Sequence, residues 1–490
     1  MRSGNVDRVK TTFKNLFYVF AAQGVSLLLS ILMSLIVPKT LGITEFSYWQ
    51  LFLFYVGYSG FFHFGLNDGL YLRYGGVSYE QLDHGLIGSQ LWLSMAAQFV
   101  FCTGIFIYAR LGVADNLRSF VLMATAVYIL LYNTIIFFGY LFQATNKIVN
   151  FSLSVVLDKI FFIASIILLL GVRVKHFQPF VLLYLLSKSI ALIYCLYTGR
   201  RIAFAKLLSF KTAVKSIYSN VSVGIKLMIS NIASGLILGV GRFMIDRSWG
   251  INAFGKLSFA LSLTGFFLIF IYQVSIVLFP MLRQVTPDQQ KRFYLVSRDF
   301  LGILLSSVFI FYLPINYLLT LWLPKYKDSL NYLIILLPLC TFDGKLEMLC
   351  STYLKVMRKE KLLLMINLFS LIVSVVLCSI SAFIFRNIYA VVVSMTLAVA
   401  IRSFVAERYI AKIMQASILK YQVLENILAI VFVISTWFLK PLLGFVVFAC
   451  FYVIYLTIMR HELVSVFNTA KFYMKKRTLS ATTIGTSLNE

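Results

Sequence analysis

The sequence predicts an all-α polytopic membrane protein of about fourteen transmembrane helices, arranged as two six-helix lobes in parallel repeat plus a C-terminal helix pair. Three observations predict it. Of 490 residues, 60% are hydrophobic and only 13% charged, with a mean hydropathy of +0.88. Apolar runs of about 17–25 residues, long enough to cross a bilayer as helices, recur along almost the whole chain. Short motifs in the first half return in the second at a shared offset. The short alternating strands of a membrane β-barrel are not found.

The runs give spans at 16–37, 46–66, 86–109, 119–143, 152–172, 179–198, 221–241, 256–279, 300–322, 330–350, 362–385, 387–406, 424–439 and 442–459. The first is a full span rather than the short apolar core of a signal peptide, and no small-x-small site follows it. It is expected to remain as the first helix. The second closes on FGLNDGLYLRYGG (64–76), in which Asn67-Asp68-Gly69 reads as a turn and Arg73 as a residue anchoring the cytoplasmic side. Tyr48, Trp49 and Trp322 read as interfacial aromatics. The last two spans are short and parted only by Lys440-Pro441; fused, they would reverse the C-terminus.

Charge sets the orientation. With a cytoplasmic N-terminus, the cytoplasmic segments hold roughly twice as many Lys and Arg as the outer ones, as the positive-inside rule requires. The strongest markers are Arg200, Arg201, Lys206, Lys211 and Lys215, then Lys355, Arg358, Lys359 and Lys361, then Lys471, Lys475, Lys476 and Arg477. Both termini are therefore expected in the cytoplasm. The tail also reads as a surface anchor for anionic lipids, which the same topology allows. The net charge of +26 is assigned to topology, and no nucleic acid partner is expected. The six cysteines sit in apolar runs without a CxxC pair, and the four histidines are scattered, so no metal or cofactor is expected.

The repeat rests on three pairs. LGITEF (41–46) and WGINAF (249–254) precede the second and eighth spans. Gly60-Phe61-Phe62 and Gly265-Phe266-Phe267 follow them. FQATNK (142–147) and LKVMRK (354–359) end the fourth and tenth spans. All lie a little over two hundred residues apart, which is six helices, so both copies face the same way. The expected layout is an N-terminal lobe at 1–198, a basic cytoplasmic linker at 199–220, a second lobe at 221–406, an additional helix pair at 407–459 and a basic tail at 460–490.

No long loop, no GxxxxGK[ST] and no nucleophile elbow occurs, so the chain is expected to be a transporter rather than an enzyme, with no catalytic residues. Two like-oriented lobes enclose a cleft, and ionisable residues inside spans are the candidates for lining it. Each costs about 2.5–3.5 kcal/mol or more to bury in hydrocarbon. They are Asp158 and Lys159 in the fifth span, Lys188 in the sixth, Lys226 in the seventh, Asp343, Lys345 and Glu347 in the tenth, and Arg402 in the twelfth. Lys226 and Arg402 are weaker, because both lie near a cytoplasmic helix end and snorkelling explains them. Lys188, near mid-span, serves either the cavity or an ion pair with Asp158. Asp343 and Glu347, four apart, form an acidic strip, while Lys345 points away. The strip is a structural pair with a neighbouring helix, a cation or proton site, or a hydrogen-bonding surface for a sugar or amine.

The opening FKNLFYVFAAQGVSLLLSILMSLIVPKTLGITEFSYWQLF, leading into FGLNDGLYLRYGG, resembles the start of the Wzx-type oligosaccharide flippases of the multidrug/oligosaccharidyl-lipid/polysaccharide (MOP) exporter superfamily. Pro38, Leu41-Gly42, Phe46, Gly65 and Arg73 match its pattern. FQATNK resembles the segment closing its fourth helix, placing Gln143 and Asn146. The resemblance implies two six-helix lobes around a cavity in a bacterial cytoplasmic membrane. It also implies flipping of an undecaprenyl-diphosphate-linked oligosaccharide by alternating access. Cations would hold the diphosphate, with Arg73 and Lys188 the best matches; the extra helices would carry the lipid tail. The implied partners are the lipid-linked substrate, membrane lipids, and a glycan polymerase and glycosyltransferases of the pathway. The buried acids Asp158, Asp343 and Glu347 depart from a purely cationic cavity. They keep an ion-coupled multidrug antiporter open as the alternative; a glycan polymerase or ligase ranks last, for want of a large outer loop.

Overall fold

The computed structural model describes residues 24–282 and 286–464. The start of the first predicted span and the tail cations Lys471, Lys475, Lys476 and Arg477 lie outside them. Every regular element among the described residues is a helix. Apart from short turns such as Arg200–Ala203, these are in chain order α1 (Gly24–Leu41), α2 (Ile43–Val56), α3 (Leu66–Arg73), α4 (His84–Leu111), α5 (Asn116–Ala144), α6 (Ile148–Gly171), α7 (Phe177–Thr198), α8 (Phe210–Trp249) and α9 (Ile251–Leu282). Then follow α10 (Pro287–Trp322), α11 (Lys327–Leu336), α12 (Leu339–Lys345), α13 (Thr352–Val356), α14 (Glu360–Ile384), α15 (Ile388–Met414), α16 (Leu419–Phe438) and α17 (Pro441–Ile458).

Among the described residues, twelve helices are long and apolar enough to cross a membrane. The second and tenth predicted spans are not among them, because each is interrupted. The second runs as α2, a 3₁₀ turn at Ser59–His63 and α3, with Phe64 and Gly65 both left-handed between them (φ 49° and 82°). The tenth breaks at Pro338, which has no N–H to donate and crowds the carbonyl four residues back. It then passes from α12 through a π turn at Leu346–Ser351 into α13. There the Thr352 hydroxyl donates to the Glu347 carbonyl five residues back, at 3.0 Å. Single π turns concentrate at functional sites, and this one begins directly after Asp343 and Lys345.

Burial is inverted relative to a water-soluble helix. On α6, Ser152, Ser154, Asp158 and Ser165 are buried, while Ile160, Ile167 and Leu168 are exposed. On α14, Ser370, Ser374 and Ser381 are buried and Phe369, Ile372 and Phe383 exposed. This pattern suits hydrocarbon surroundings, where polar groups must be satisfied internally and apolar ones need no cover.

Three expectations are corrected. Asn67-Asp68-Gly69 is not a turn: the three are buried in α3, with Gly69 laid against α8 and Asn67 donating to the Asn133 carbonyl of α5 at 3.3 Å. Gly65 and Gly69, in a small-xxx-small spacing, and Gly224 on α8 let the two backbones touch. A Cβ at Gly69 would lie 2.6 Å from the Asn220 carbonyl carbon and closer still to its oxygen. The second half of the 199–220 segment is likewise helical, the first turns of α8. That helix has 40 residues and is about 60 Å long. Trp49 is packed inside the protein against Phe52, Phe162 and Tyr184 rather than turned outward, and Tyr48 is buried too. Of the cysteines, five are buried and Cys450 is exposed. The last pair is two helices, with Pro441 opening α17 at a position that needs no N–H.

The backbone carries the repeat. Gly42 and Gly250 have the same conformation (φ 76°, ψ 178° and φ 82°, ψ 178°), each joining two helices. Asn146 and Arg358 are both left-handed, and each turn closes with the next N–H bonded five residues back: Lys147 to Phe142 at 2.7 Å and Lys359 to Leu354 at 2.8 Å. Arg173 and Arg386, at the same offset, are also left-handed. The third motif pair diverges: Gly60-Phe61-Phe62 forms the 3₁₀ turn, whereas Gly265-Phe266-Phe267 is inside α9.

The described residues divide into two compact units. One comprises 24–262 with 367–375 and 382–388; the other comprises 263–366, 376–381 and 389–464. The first has a core of Leu70, Ile87, Phe137, Phe138, Phe142 and Ile202. The second has one of Tyr294, Leu301, Leu349, Tyr353 and Ile410.

Candidate functional site

In the first unit, polar groups gather at four levels. Where α5 begins and α8 ends, Arg118 donates to both oxygens of Asp246 at 2.6 and 2.9 Å. Asp115 caps α5 there by accepting the Leu117 and Arg118 N–H groups, and it accepts the Tyr48 hydroxyl at 2.6 Å. Burial pushes the Asp115 carboxyl up. The Tyr48 hydroxyl, the two N–H groups and the Arg118 charge outweigh that and hold it below the usual carboxylate range.

One turn of α8 before Asp246 stands Arg242. Its guanidinium donates to the Ser258 hydroxyl at 2.9 Å and lies over the rings of Phe54 and Phe254, at 4.7 and 5.0 Å. It has no ion pair among the described residues, and its Nε is buried without a hydrogen-bond partner.

Midway along α6 and α7, Lys188 and Asp158 form a buried pair at 2.6 Å, and the Ser187 hydroxyl donates to the other Asp158 oxygen at 2.9 Å. Tyr128, Tyr132 and Tyr184 stack beside the pair, with the Lys188 ammonium 5.0 Å from the Tyr184 ring centre. Lys159, turned about a hundred degrees from Asp158 on the helix, is outside this group.

At the α3–α8 contact, Arg73 is exposed and reaches the Ser219 hydroxyl and Asn220 side-chain oxygen, both at 3.3 Å. Asn220 donates to Gln90 at 2.7 Å, and Gln90 to Ser216 at 3.0 Å. Asp68 is buried 3.8 Å from His63, whose Nδ1 accepts the Gly65 N–H and so leaves any neutral-ring hydrogen on Nε2. Gln143 bonds back to the Gly139 carbonyl, and Asn146 is the exposed left-handed residue of its turn. The turn explains both residues, and neither joins the buried polar groups. Lys226 is exposed on α8.

The second unit holds a denser charge network. Asp343 is paired with Arg402 of α15 and accepts the Tyr272 hydroxyl at 3.0 Å. Of the three readings of the acidic strip, Asp343 follows the ion pair with a neighbouring helix. Lys345, on the opposite side of α12, is buried and bonds both Glu407 of α15, at 3.0 Å, and Glu425 of α16. Glu347 is half-buried with Lys355 4.0 Å away, close to solvent and weak as a pair. Arg298 of α10 pairs with Asp299 and lies 4.0 Å from the Tyr421 ring.

Arg118, Arg242, Arg298 and Glu407 fall one or two residues outside a predicted span, and Glu425 inside one. What would bring them inside is a helix that runs on past the charged residue, as α8 runs through Arg242 and Asp246 to Trp249.

A family profile described as polysaccharide biosynthesis protein matches residues 12–286. The comparison with curated proteins finds no match. Among solved structures, lipid II flippase MurJ in an inward closed conformation has a TM-score of 0.65 at 13% identity, over 92% of this chain and 100% of that one. An inward-facing multidrug resistance MATE transporter of the MOP superfamily has a TM-score of 0.60 at 12% identity, over 80% and 94%. An outward-facing structure of a MATE transporter gives 0.53 at 12%, over 81% and 92%.

Proposed function

Because the chain belongs to the polysaccharide biosynthesis protein family and has the fold of MOP-superfamily transporters, we propose that it flips an undecaprenyl-diphosphate-linked oligosaccharide repeat unit across a bacterial cytoplasmic membrane. It does so by alternating access, with both termini cytoplasmic, alongside the glycosyltransferases and polymerase of a surface-glycan pathway. The observation that carries this reading is Arg242. A guanidinium inside a span is costly unless a counter-charge accompanies it. Arg242 has two phenyl faces and one hydroxyl instead, with donor capacity left over. Its planar fork suits a phosphate group. Arg73 supplies a second cation without a carboxylate partner among the described residues. Lys188, neutralised by Asp158, offers a polar centre flanked by tyrosine rings, suited to a sugar. That one structure of this fold is a lipid II flippase favours a lipid-linked substrate.

The test is translocation of a lipid-linked oligosaccharide in proteoliposomes. Arg242→Ala is expected to lower the rate at least about tenfold, the cost of one charge-assisted phosphate contact, with Arg242→Lys in between. A wild-type rate in Arg242→Ala refutes the reading. A deletion strain should accumulate lipid-linked repeat units on the cytoplasmic leaflet. The alternative, a multidrug antiporter, shares the fold; cation-dependent dye efflux without glycan movement would favour it.

A further inference from the structure

We propose that Glu407 and Glu425, which share Lys345, form a proton-binding site that takes up one proton in the transport cycle; the cycle, though not the site, rests on the function proposed above. The first argument is charge. Among the ion pairs around α12, Asp343 is matched by Arg402 and Asp299 by Arg298, while Glu407 and Glu425 are two carboxylates on one ammonium. All three side chains are buried, at 3–4% exposure. A net negative charge is thus held away from water, where an uncompensated ion is expensive. One proton removes it.

The second argument is a pair of orphaned polar atoms beside the carboxylates. Gln422 donates its amide to Glu407 at 3.3 Å, while its own Oε1 is buried without a donor. The Tyr455 hydroxyl, on a residue 3% exposed, is also unpartnered. It faces Gly302 together with the Glu425 Oε1 atom. An ionised carboxylate only accepts, but a protonated one also donates. A proton on Glu425 therefore matches the Tyr455 oxygen, while Gln422 keeps its amide donors on Glu407 and on the Phe404 carbonyl, at 3.3 and 3.4 Å. The Tyr455 hydroxyl donates to an ionised Glu425 or accepts from a protonated one. Ser403 donates to Glu407 at 3.2 Å.

The other ionisable groups near the pair are Arg298 and Tyr294 on α10, Cys350 in the π turn, Arg402 on α15, and Tyr421 and Glu462 beyond Arg298. Arg298, whose charge also acts on Glu425, is held by Asp299 and the Tyr421 ring. Because Glu425 lies on α16 and Lys345 on α12, the protonation state alters the bond that ties the C-terminal helix pair to the rest of this unit.

The experiment is infrared difference titration of the full-length protein in nanodiscs. Acidification is expected to raise the carbonyl band of one protonated, buried carboxyl. The band should vanish in Glu407→Gln and in Glu425→Gln, where Lys345 keeps a single partner, and should survive in Asp343→Asn. Lys345→Met should move its midpoint to more alkaline pH. Absence of the band in the wild type, its persistence in both Gln variants, or an unmoved midpoint in Lys345→Met overturns the site. Glycan translocation is read separately. Translocation without a titrating carboxyl removes the proton site and keeps the flippase; the band without translocation does the reverse.

Discussion

Gly69→Ala tests whether GLNDG is a helix packed at contact distance. The added Cβ would stand 2.6 Å from the Asn220 carbonyl carbon and 3.0 Å from its Cα, with the oxygen nearer. Ordinary carbon contacts begin near about 3.5 Å, so α3 and α8 must separate by roughly 1 Å. No flexible side chain is there to give way, since the obstacle is backbone. Overpacking of this kind costs about 1–3 kcal/mol, or about five- to 150-fold in the folding equilibrium. The same shift moves Asn220, which holds Arg73 and Gln90. Thermal unfolding of the purified protein, followed by fluorescence-detected size exclusion in one detergent, reads the loss. Gly104→Ala is the control of opposite sign. Nothing lies within 4 Å of its Cβ position on α4, so removing a helix glycine should stabilise by about 0.5–1 kcal/mol. If Gly69→Ala melts with or above the wild type, the packing described for α3 is wrong.

Other outcomes follow from the charged groups. Lys188→Met should destabilise by about 3–5 kcal/mol, because it strands Asp158 in a buried site. Lys188→Met/Asp158→Asn should recover most of that; a double variant as unstable as the single one excludes the pair as the cause. Asp115→Asn keeps a capping side chain but removes its negative charge from the start of α5 and should destabilise by about 0.3–1 kcal/mol at neutral pH. Since the folded carboxyl is held below its usual range, its contribution is present above the unfolded pKa and fades as pH falls through the folded one. The gap in melting temperature between wild type and Asp115→Asn should therefore close on acidification, and a gap that widens contradicts the assignment.

What the sequence determined by itself was the class, the repeat and the positions of most helices. The reason is that hydrocarbon admits few solutions: a run of apolar residues must hydrogen-bond its own backbone, and only a helix does that within one segment. Paired turns such as Gly42 with Gly250 were legible because their backbone is fixed by a few local hydrogen bonds. The Asp343, Lys345 and Glu347 stretch was legible as an anomaly. Only the tertiary structure decided which charges belong together. A span read from hydropathy stops at the first charged residue, so Arg118, Arg242, Arg298 and Glu407 fall just outside the spans because of the very charge that matters. In the folded chain the helices run on, and the partners of these groups come from other helices. Asp246 reaches Arg118 over a separation of 128 residues, and Glu425 reaches Lys345 over 80. GLNDG failed for a related reason. Its glycines are there for the approach of α8, and a glycine needed for contact is indistinguishable in sequence from one needed for a turn.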